Sequence, residues 1–198
     1  MMYNCRTVEI GTVEVQSISV KKEISIMATK NPRVVTGKVR FSYANVFSPM
    51  DKGDGKTPKY SVSIIIPKSD KETIANINKA FEEAKTNSAA YFGDTIPKML
   101  KGGLRDGDLE KEDEAYAGSM FINANSVKKP GVVDADMQAI LDPEEFYSGC
   151  YGRAAIEFYP YNMEGSKGIA CGLGNVQKLE DGEKLGGGGV SAAVDFAV

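Results

Sequence analysis

Three tyrosines and an arginine share one parity in the stretch 145–175, which contains the residues of the chain best suited to ligand binding. Tyr151, Arg153, Tyr159 and Tyr161 share one parity, and the opposite parity is small and apolar. A period of two is typical of a half-buried strand. Rings beside a guanidinium form a surface on which nucleobases stack while the cation meets phosphate. Composition alone supports equally a tyrosine-rich sheet face that packs under another layer.

The sequence contains no histidine, which removes most catalytic chemistry. Ser-His-Asp and Cys-His nucleophile pairs, histidine metal ligands and imidazole general bases are all excluded. Cys5, Cys150 and Cys171 form no CxxC motif. Structural zinc and a disulfide scaffold are therefore not expected, and a reducing cytoplasm is the natural compartment. We predict a non-enzymatic protein with no cofactor and no metal site.

An acidic run over residues 105–114 is the remaining candidate for metal chemistry. Lys111 stands at the sixth position from Asp106, where an EF-hand loop requires glycine. We interpret the run as a solvated loop. A nuclease that holds magnesium with Asp106, Asp108 and Glu110 stays open as an alternative, although no general base accompanies these acids.

Hydrophobic alternation predicts a mainly β fold with one packed helix. Strands are expected over residues 33–47, 59–67, 119–127, 151–161 and 167–178. The last two form a hairpin whose connecting loop is longer than two residues. Alternation in the first strand puts Tyr43 on the core side and Arg40 on the other.

Apolar residues recur at helical spacing over residues 70–86. Ser69 and Glu72 precede and open this helix at capping-box spacing. Its outer positions mix both signs of charge, as an ordinary solvated helix face does. We therefore expect the helix to plug the sheet rather than to bind nucleic acid.

The 198 residues are sufficient for one domain with appendages. Residues 27–185 form the domain, and residues 186–198 form a flexible glycine-rich tail. Met27 reads as a natural start, so residues 1–26 are interpreted as an extension from an early annotated start, or else as a genuine extra strand. A net charge of −3 means that a nucleic-acid surface must be a local stripe of cations. No apolar run approaches the roughly 20 residues that cross a bilayer.

Seven ordered blocks resemble the phage family of single-stranded DNA-binding proteins designated DUF2815. They are RFSYANVF (40–47), KYSVSIIIPKSD (59–70), LRDGD (104–108), FINA (121–124), KP (129–130), YSGCYGR (147–153) and GIACGLGNVQK (168–178). The resemblance implies an OB-fold, a five-stranded barrel with extensions. It also implies a protein that coats single-stranded DNA without sequence preference during phage replication and recombination, in the host cytoplasm.

Family members end in an acidic tail with a terminal aromatic residue that recruits replication partners. Here Asp195 and Phe196 stand at that place, with a single acid beside the phenylalanine, so the tail departs from the family pattern. The sequence leaves open a homodimer among the possible assemblies. It also leaves open a virion or assembly protein, and a binder of duplex DNA or RNA.

The candidate nucleic-acid contacts are the tyrosines and cations of the predicted strands and their turns. They are Arg40, Tyr43, Lys56, Lys59, Tyr60, Lys128, Lys129, Tyr147, Tyr151, Arg153, Tyr159, Tyr161 and Lys167.

Overall fold

The computed structural model describes residues 31–185, apart from 52, 54, 56, 94, 95, 98, 99, 164 and 165. The predicted N-terminal extension, the alternative start at Met27, Lys56, and the tail with Asp195 and Phe196 lie outside the described residues. In the described part, no helix is long and apolar enough to cross a membrane.

The described residues form eight strands and a few helical segments. The strands are β1 (Arg33–Val35), β2 (Val39–Met50), β3 (Lys59–Pro67), β4 (Arg105–Asp106), β5 (Ser119–Ser126), β6 (Val132–Val133), β7 (Tyr151–Met163) and β8 (Ser166–Glu180). The α-helices are α1 (Lys71–Asn87) and α2 (Gly107–Glu110), and Ala90–Phe92 and Glu114–Tyr116 are 3-10 helices.

Five strands close into a ring in the order β2-β3-β5-β8-β7. All neighbours are antiparallel except β5 and β8, which run parallel and meet at Asn125 and Gly172. The parallel contact joins the third and fifth strands of the ring, as an OB-fold requires. The predicted mainly β OB-fold is confirmed, although the short strands β1, β4 and β6 extend the ring beyond a regular barrel.

The interior of the ring is apolar, and α1 packs against it. Phe41, Ile64, Ile156 and Phe158 are fully buried there. Phe81 of α1 meets Phe158 edge to face, with ring centroids 6.0 Å apart. The prediction of a helix that plugs the sheet is thus confirmed.

The start of α1 differs from the predicted capping box. Asp70 is the N-cap, and its carboxylate accepts a hydrogen bond from the Thr73 amide. Ser69 lies one residue earlier, in a turn that closes through a hydrogen bond from the Asp70 amide to the Pro67 carbonyl. The prediction on Ser69 was wrong because this turn moves the first helical residue to Lys71.

The β7–β8 hairpin is tighter than predicted. Met163 pairs with Ser166, so two residues connect the strands rather than the longer loop expected. The polar residues Asn162 and Ser166 suggested a loop, but both pair within the ladder. Backbone pairing at a solvated hairpin tip does not depend on apolar side chains, because it uses only N–H and C=O groups.

Gly152 lies at the seam where β2 pairs with β7. A methyl group there would overlap the Gln177 carbonyl and lie 2.8 Å from Cε2 of Phe41. We predict that Gly152→Ala lowers the free energy of unfolding by about 1–3 kcal/mol through overpacking. Arg153→Ala, in the adjacent exposed position, should change it by no more than about 0.5 kcal/mol. Denaturant unfolding measures both, and equal effects would contradict the role of the seam.

Candidate nucleic-acid interface

A groove of about 380 Å³ runs over the outer face of β2, β3 and β5. Alternation along β3 generates it, because Val62 and Ile64 point into the core while Ser61 and Ser63 point outward. The lining residues are Tyr43, Asn45, Met50, Thr57, Lys59, Ser61, Val62, Ser63, Lys111, Asn123, Ala124 and Asn125.

Tyr43 stands at the groove in an unusual backbone conformation. Its φ is 49°, and the side chain is 60% exposed. The β2–β3 register shifts between Ser42 and Asn45, so a bulge interrupts the alternation at this point. The prediction that Tyr43 lies on the core side was wrong, because a bulge reverses the parity of the side chains that follow it.

Neighbouring hydrogen bonds hold this conformation in place. The Ala44 amide donates to Oγ of Ser148 at 3.0 Å, and Nδ2 of Asn45 donates to the Tyr43 carbonyl at 3.1 Å. A residue other than glycine in the left-handed region costs about 1–3 kcal/mol. Such strain persists where the surrounding structure enforces it, and it concentrates at binding sites.

Lys111 supplies a cation to the groove that the sequence did not reveal. Its Nζ lies 5.6, 5.2 and 5.5 Å from the ring centroids of Tyr43, Tyr116 and Phe121. Tyr116 is buried, and its hydroxyl donates to Oγ of Ser63 at 3.1 Å. Lys111 was not predicted as a groove residue because it lies in the acidic run, which its composition led us to interpret as a solvated loop.

The acidic run itself is not a solvated loop. It contains β4, which pairs with β5, and α2. Nζ of Lys68 donates hydrogen bonds to the carboxylates of Asp106 and Asp108 at 2.8 and 2.7 Å. The bond to Asp108 lowers the pKa of that carboxyl below its usual value. Arg105 forms an ion pair with Glu110. The three acids considered for magnesium are therefore engaged by protein cations.

Arg40 lies outside the groove and contacts the protein's own backbone. Its Nη2 donates to the Glu183 carbonyl at 2.9 Å and its Nε to the Gly149 carbonyl at 3.3 Å. The guanidinium also stacks over the ring of Tyr151, 5.6 Å from its centroid. Arg40 and Tyr151 thus hold residues 181–185, which we call the C-terminal segment, against the ring of strands.

Tyr147 anchors the same C-terminal segment. Its hydroxyl donates to Oδ1 of Asp181 at 2.8 Å, and Nζ of Lys178 lies 2.7 Å from the same oxygen. The hydrogen bond from Lys178 lowers the pKa of the Asp181 carboxyl, and the bond from Tyr147 lowers it further by a smaller amount. The segment ends at Leu185, which packs on the outer cluster of Ile65, Tyr116 and Phe121.

The face predicted for β7 is confirmed, with Ala154, Ile156 and Phe158 buried on the opposite side. Tyr159 and Tyr161 are half-buried because their rings cover glycines of β8. A methyl group at Gly172 would lie 3.0 Å from Cε1 of Tyr159, and one at Gly168 would lie 2.7 Å from Cε1 of Tyr161.

The remaining candidates are dispersed. Lys59 lines the groove, whereas Tyr60 has the opposite parity on β3.

Lys128 and Lys129 are exposed after β5, and Lys129 lies over Phe47, an aromatic residue that was not among the predicted contacts. Arg153 is exposed on β7, and Lys167 lies at the β7–β8 tip. The structure therefore groups Tyr43 and Lys59 with Lys111.

One family model matches most of the chain. The model of the family described as "Enterobacter phage Enc34, ssDNA-binding protein" matches residues 32–198. A curated relative, the putative protein p50 of Acyrthosiphon pisum secondary endosymbiont phage 1, is 29% identical over 171 residues, covering 83% of this chain and 92% of the relative.

Two solved structures resemble the chain. The single-stranded DNA-binding protein from bacteriophage Enc34, in complex with ssDNA, has a TM-score of 0.69 and 27% identity, covering 78% of this chain and 90% of that one. The single-stranded DNA-binding protein gp2.5 of bacteriophage T7 has a TM-score of 0.58 and 17% identity, covering 84% and 95%. The second likeness extends to the fold alone.

The strain at Tyr43 predicts an order of stability between two variants that both remove the ring. Asparagine tolerates the left-handed region better than alanine does. Tyr43→Asn should therefore have a free energy of unfolding about 1 kcal/mol higher than Tyr43→Ala, as measured by urea denaturation. Equal stabilities, or a more stable alanine variant, would contradict the account of the backbone.

Proposed function

The chain belongs to the family of the Enterobacter phage Enc34 single-stranded DNA-binding protein, and we propose that it binds single-stranded DNA in the groove over β2, β3 and β5. By coating exposed strands there, it serves phage DNA replication and recombination in the bacterial host cytoplasm. The observation that carries the site is the grouping of the exposed Tyr43 ring with Lys59 and Lys111 along one groove.

Stacking and phosphate neutralisation together account for binding at this groove. A base stacked on an aromatic side chain is worth about 1–3 kcal/mol and requires no particular base. Among the described residues, neither Lys59 nor Lys111 has a carboxylate oxygen within 4.0 Å. With respect to the described residues both ammonium groups are therefore open to phosphate, although the net charge of the whole chain is −3.

Binding rather than catalysis is supported by the state of the reactive side chains. Cys150 and Cys171 are buried free thiols, and burial raises the pKa of Cys171 to about 12. A thiol with that pKa is a poor nucleophile near neutrality. A magnesium ion at Asp106 and Asp108 would have to displace Lys68.

Tyr159 and Tyr161 extend the proposed path beyond the groove. Asn125 of the groove pairs with Gly172 across the β5–β8 seam, and Tyr159 covers Gly172. A DNA strand that leaves the groove over this seam would meet the half-buried rings of Tyr159 and Tyr161 on β7. Lys167 at the β7–β8 hairpin tip, and Lys128 and Lys129 after β5, are the further cations that we assign to that path.

We further propose residues 27–185 as the DNA-binding unit and Asp195 and Phe196 as a contact for replication or recombination proteins. A homodimer is compatible with this arrangement. We assign the role of holding the C-terminal segment to Arg40, Tyr147 and Tyr151. A binding experiment can therefore treat these three residues separately from the groove contacts.

Salt dependence of the affinity for labelled oligo-dT, followed by fluorescence anisotropy, distinguishes the groove from the other faces. Lys111→Gln should reduce the slope of log K against log salt by about 0.7, the value of one phosphate on a single strand. Tyr43→Asn should weaken binding by roughly 5- to 150-fold, which corresponds to about 1–3 kcal/mol of stacking, and leave the slope unchanged.

Arg40→Gln is the matched control, since it removes a cation that contacts carbonyl oxygens of the protein. Its salt slope should equal that of the wild type. A reduced slope for Arg40→Gln, together with an unchanged slope for Lys111→Gln, would move the DNA site away from the groove.

A further inference from the structure

The groove floor consists of uncharged hydrogen-bonding side chains on three adjacent strands. Asn45, Ser61 and Asn125 are direct register partners across β2, β3 and β5. Ser63 and Asn123 form the next row in the same way. These five side chains, which we call the amide floor, all line the groove.

Two of the five side chains of the amide floor are unused within the described part of the protein. Nδ2 of Asn45 donates to the Tyr43 carbonyl and to Oγ of Ser61, and Oγ of Ser63, which is buried, accepts from Tyr116. Within residues 31–185 as described, the side-chain amides of Asn123 and Asn125 make no hydrogen bond to the protein. Each amide therefore offers two donor hydrogens and an acceptor oxygen to a ligand.

The spacing of the amide floor suits a row of nucleobases. Adjacent strands lie about 4.8 Å apart, and residues two apart on one strand lie about 7 Å apart. The Tyr43 ring stands at the margin of the floor and Lys111 lies over that ring. A base stacked on Tyr43 would consequently turn one edge toward the amides and leave its phosphates to the lysines.

We propose that the amide floor binds the hydrogen-bonding edges of unpaired bases, and that this selects single strands over duplex DNA. The inference rests on the proposed DNA-binding function and identifies what the groove recognises. Every base edge presents donors, acceptors or both, and an amide satisfies either. In a duplex the Watson–Crick edges are already paired with each other, so those edges have no free hydrogen-bonding groups for the floor. The mechanism accepts all four bases without reading a sequence.

The test compares two oligonucleotides of equal length and charge. One is oligo-dT, and the other carries difluorotoluene, which has the shape of thymine and stacks but lacks its hydrogen-bonding groups. Anisotropy titrations of the wild type should show a preference of about tenfold or more for oligo-dT, the discrimination expected from one well-made base contact. Asn123→Leu with Asn125→Leu should reduce the preference to within twofold while leaving the salt slope unchanged.

Asn78→Leu is the matched control, because Asn78 is exposed on α1 and does not line the groove. It should keep the wild-type preference. Equal wild-type affinity for the two oligonucleotides would overturn the inference while leaving the DNA-binding function intact. A preference that survives the double substitution would overturn it as well. Failure of the wild type to bind oligo-dT would refute the proposed function, and the inference with it.

Discussion

Closure of the ring at the β2–β7 seam is the constraint on which the rest of the structure depends. Val39 and Arg40 pair with β7, and Gly152 admits the close approach of Phe41 and the β8 backbone. β2 pairs with β7 as far as Arg40, and three residues later the bulge in its pairing with β3 lies at Tyr43. This bulge, close to the seam, turns Tyr43 out to the surface, where it borders the groove.

The cations around the ring of strands fall into two groups. Near the seam, Arg40 is held by carbonyl oxygens and stabilises the C-terminal segment. Across the outer sheet face, α2 and the 3-10 helix Glu114–Tyr116 bring Lys111 over a cluster of rings. In a chain with a slightly negative net charge, Lys68 and Arg105 pair with Asp106, Asp108 and Glu110 of the acidic run, whereas Lys59 and Lys111 line the groove.

The sequence predicted the parts of the fold that local patterns control. The periodicity of apolar residues alone predicts strand β3, helix α1 and the outward face of β7. Tyr43 was misplaced because one extra residue in a strand reverses the alternation, and no residue type marks that bulge. Lys111 was not among the predicted contacts because its place at the groove depends on the packing of the acidic run on β5. Arg40 as a DNA contact stays a prediction; its guanidinium meets carbonyl oxygens of the protein, an arrangement that sequence cannot distinguish from a guanidinium free to meet phosphate.

A map of backbone amide chemical shifts, recorded by NMR with and without a short oligo-dT, tests the central claim most directly. The account predicts that the largest changes fall on β2, β3 and β5 at Tyr43, Ser61 and Asn123, together with Lys111. Changes confined to the β7 face around Arg153, with the groove unchanged, would contradict it and return the binding site to the tyrosine stripe of β7.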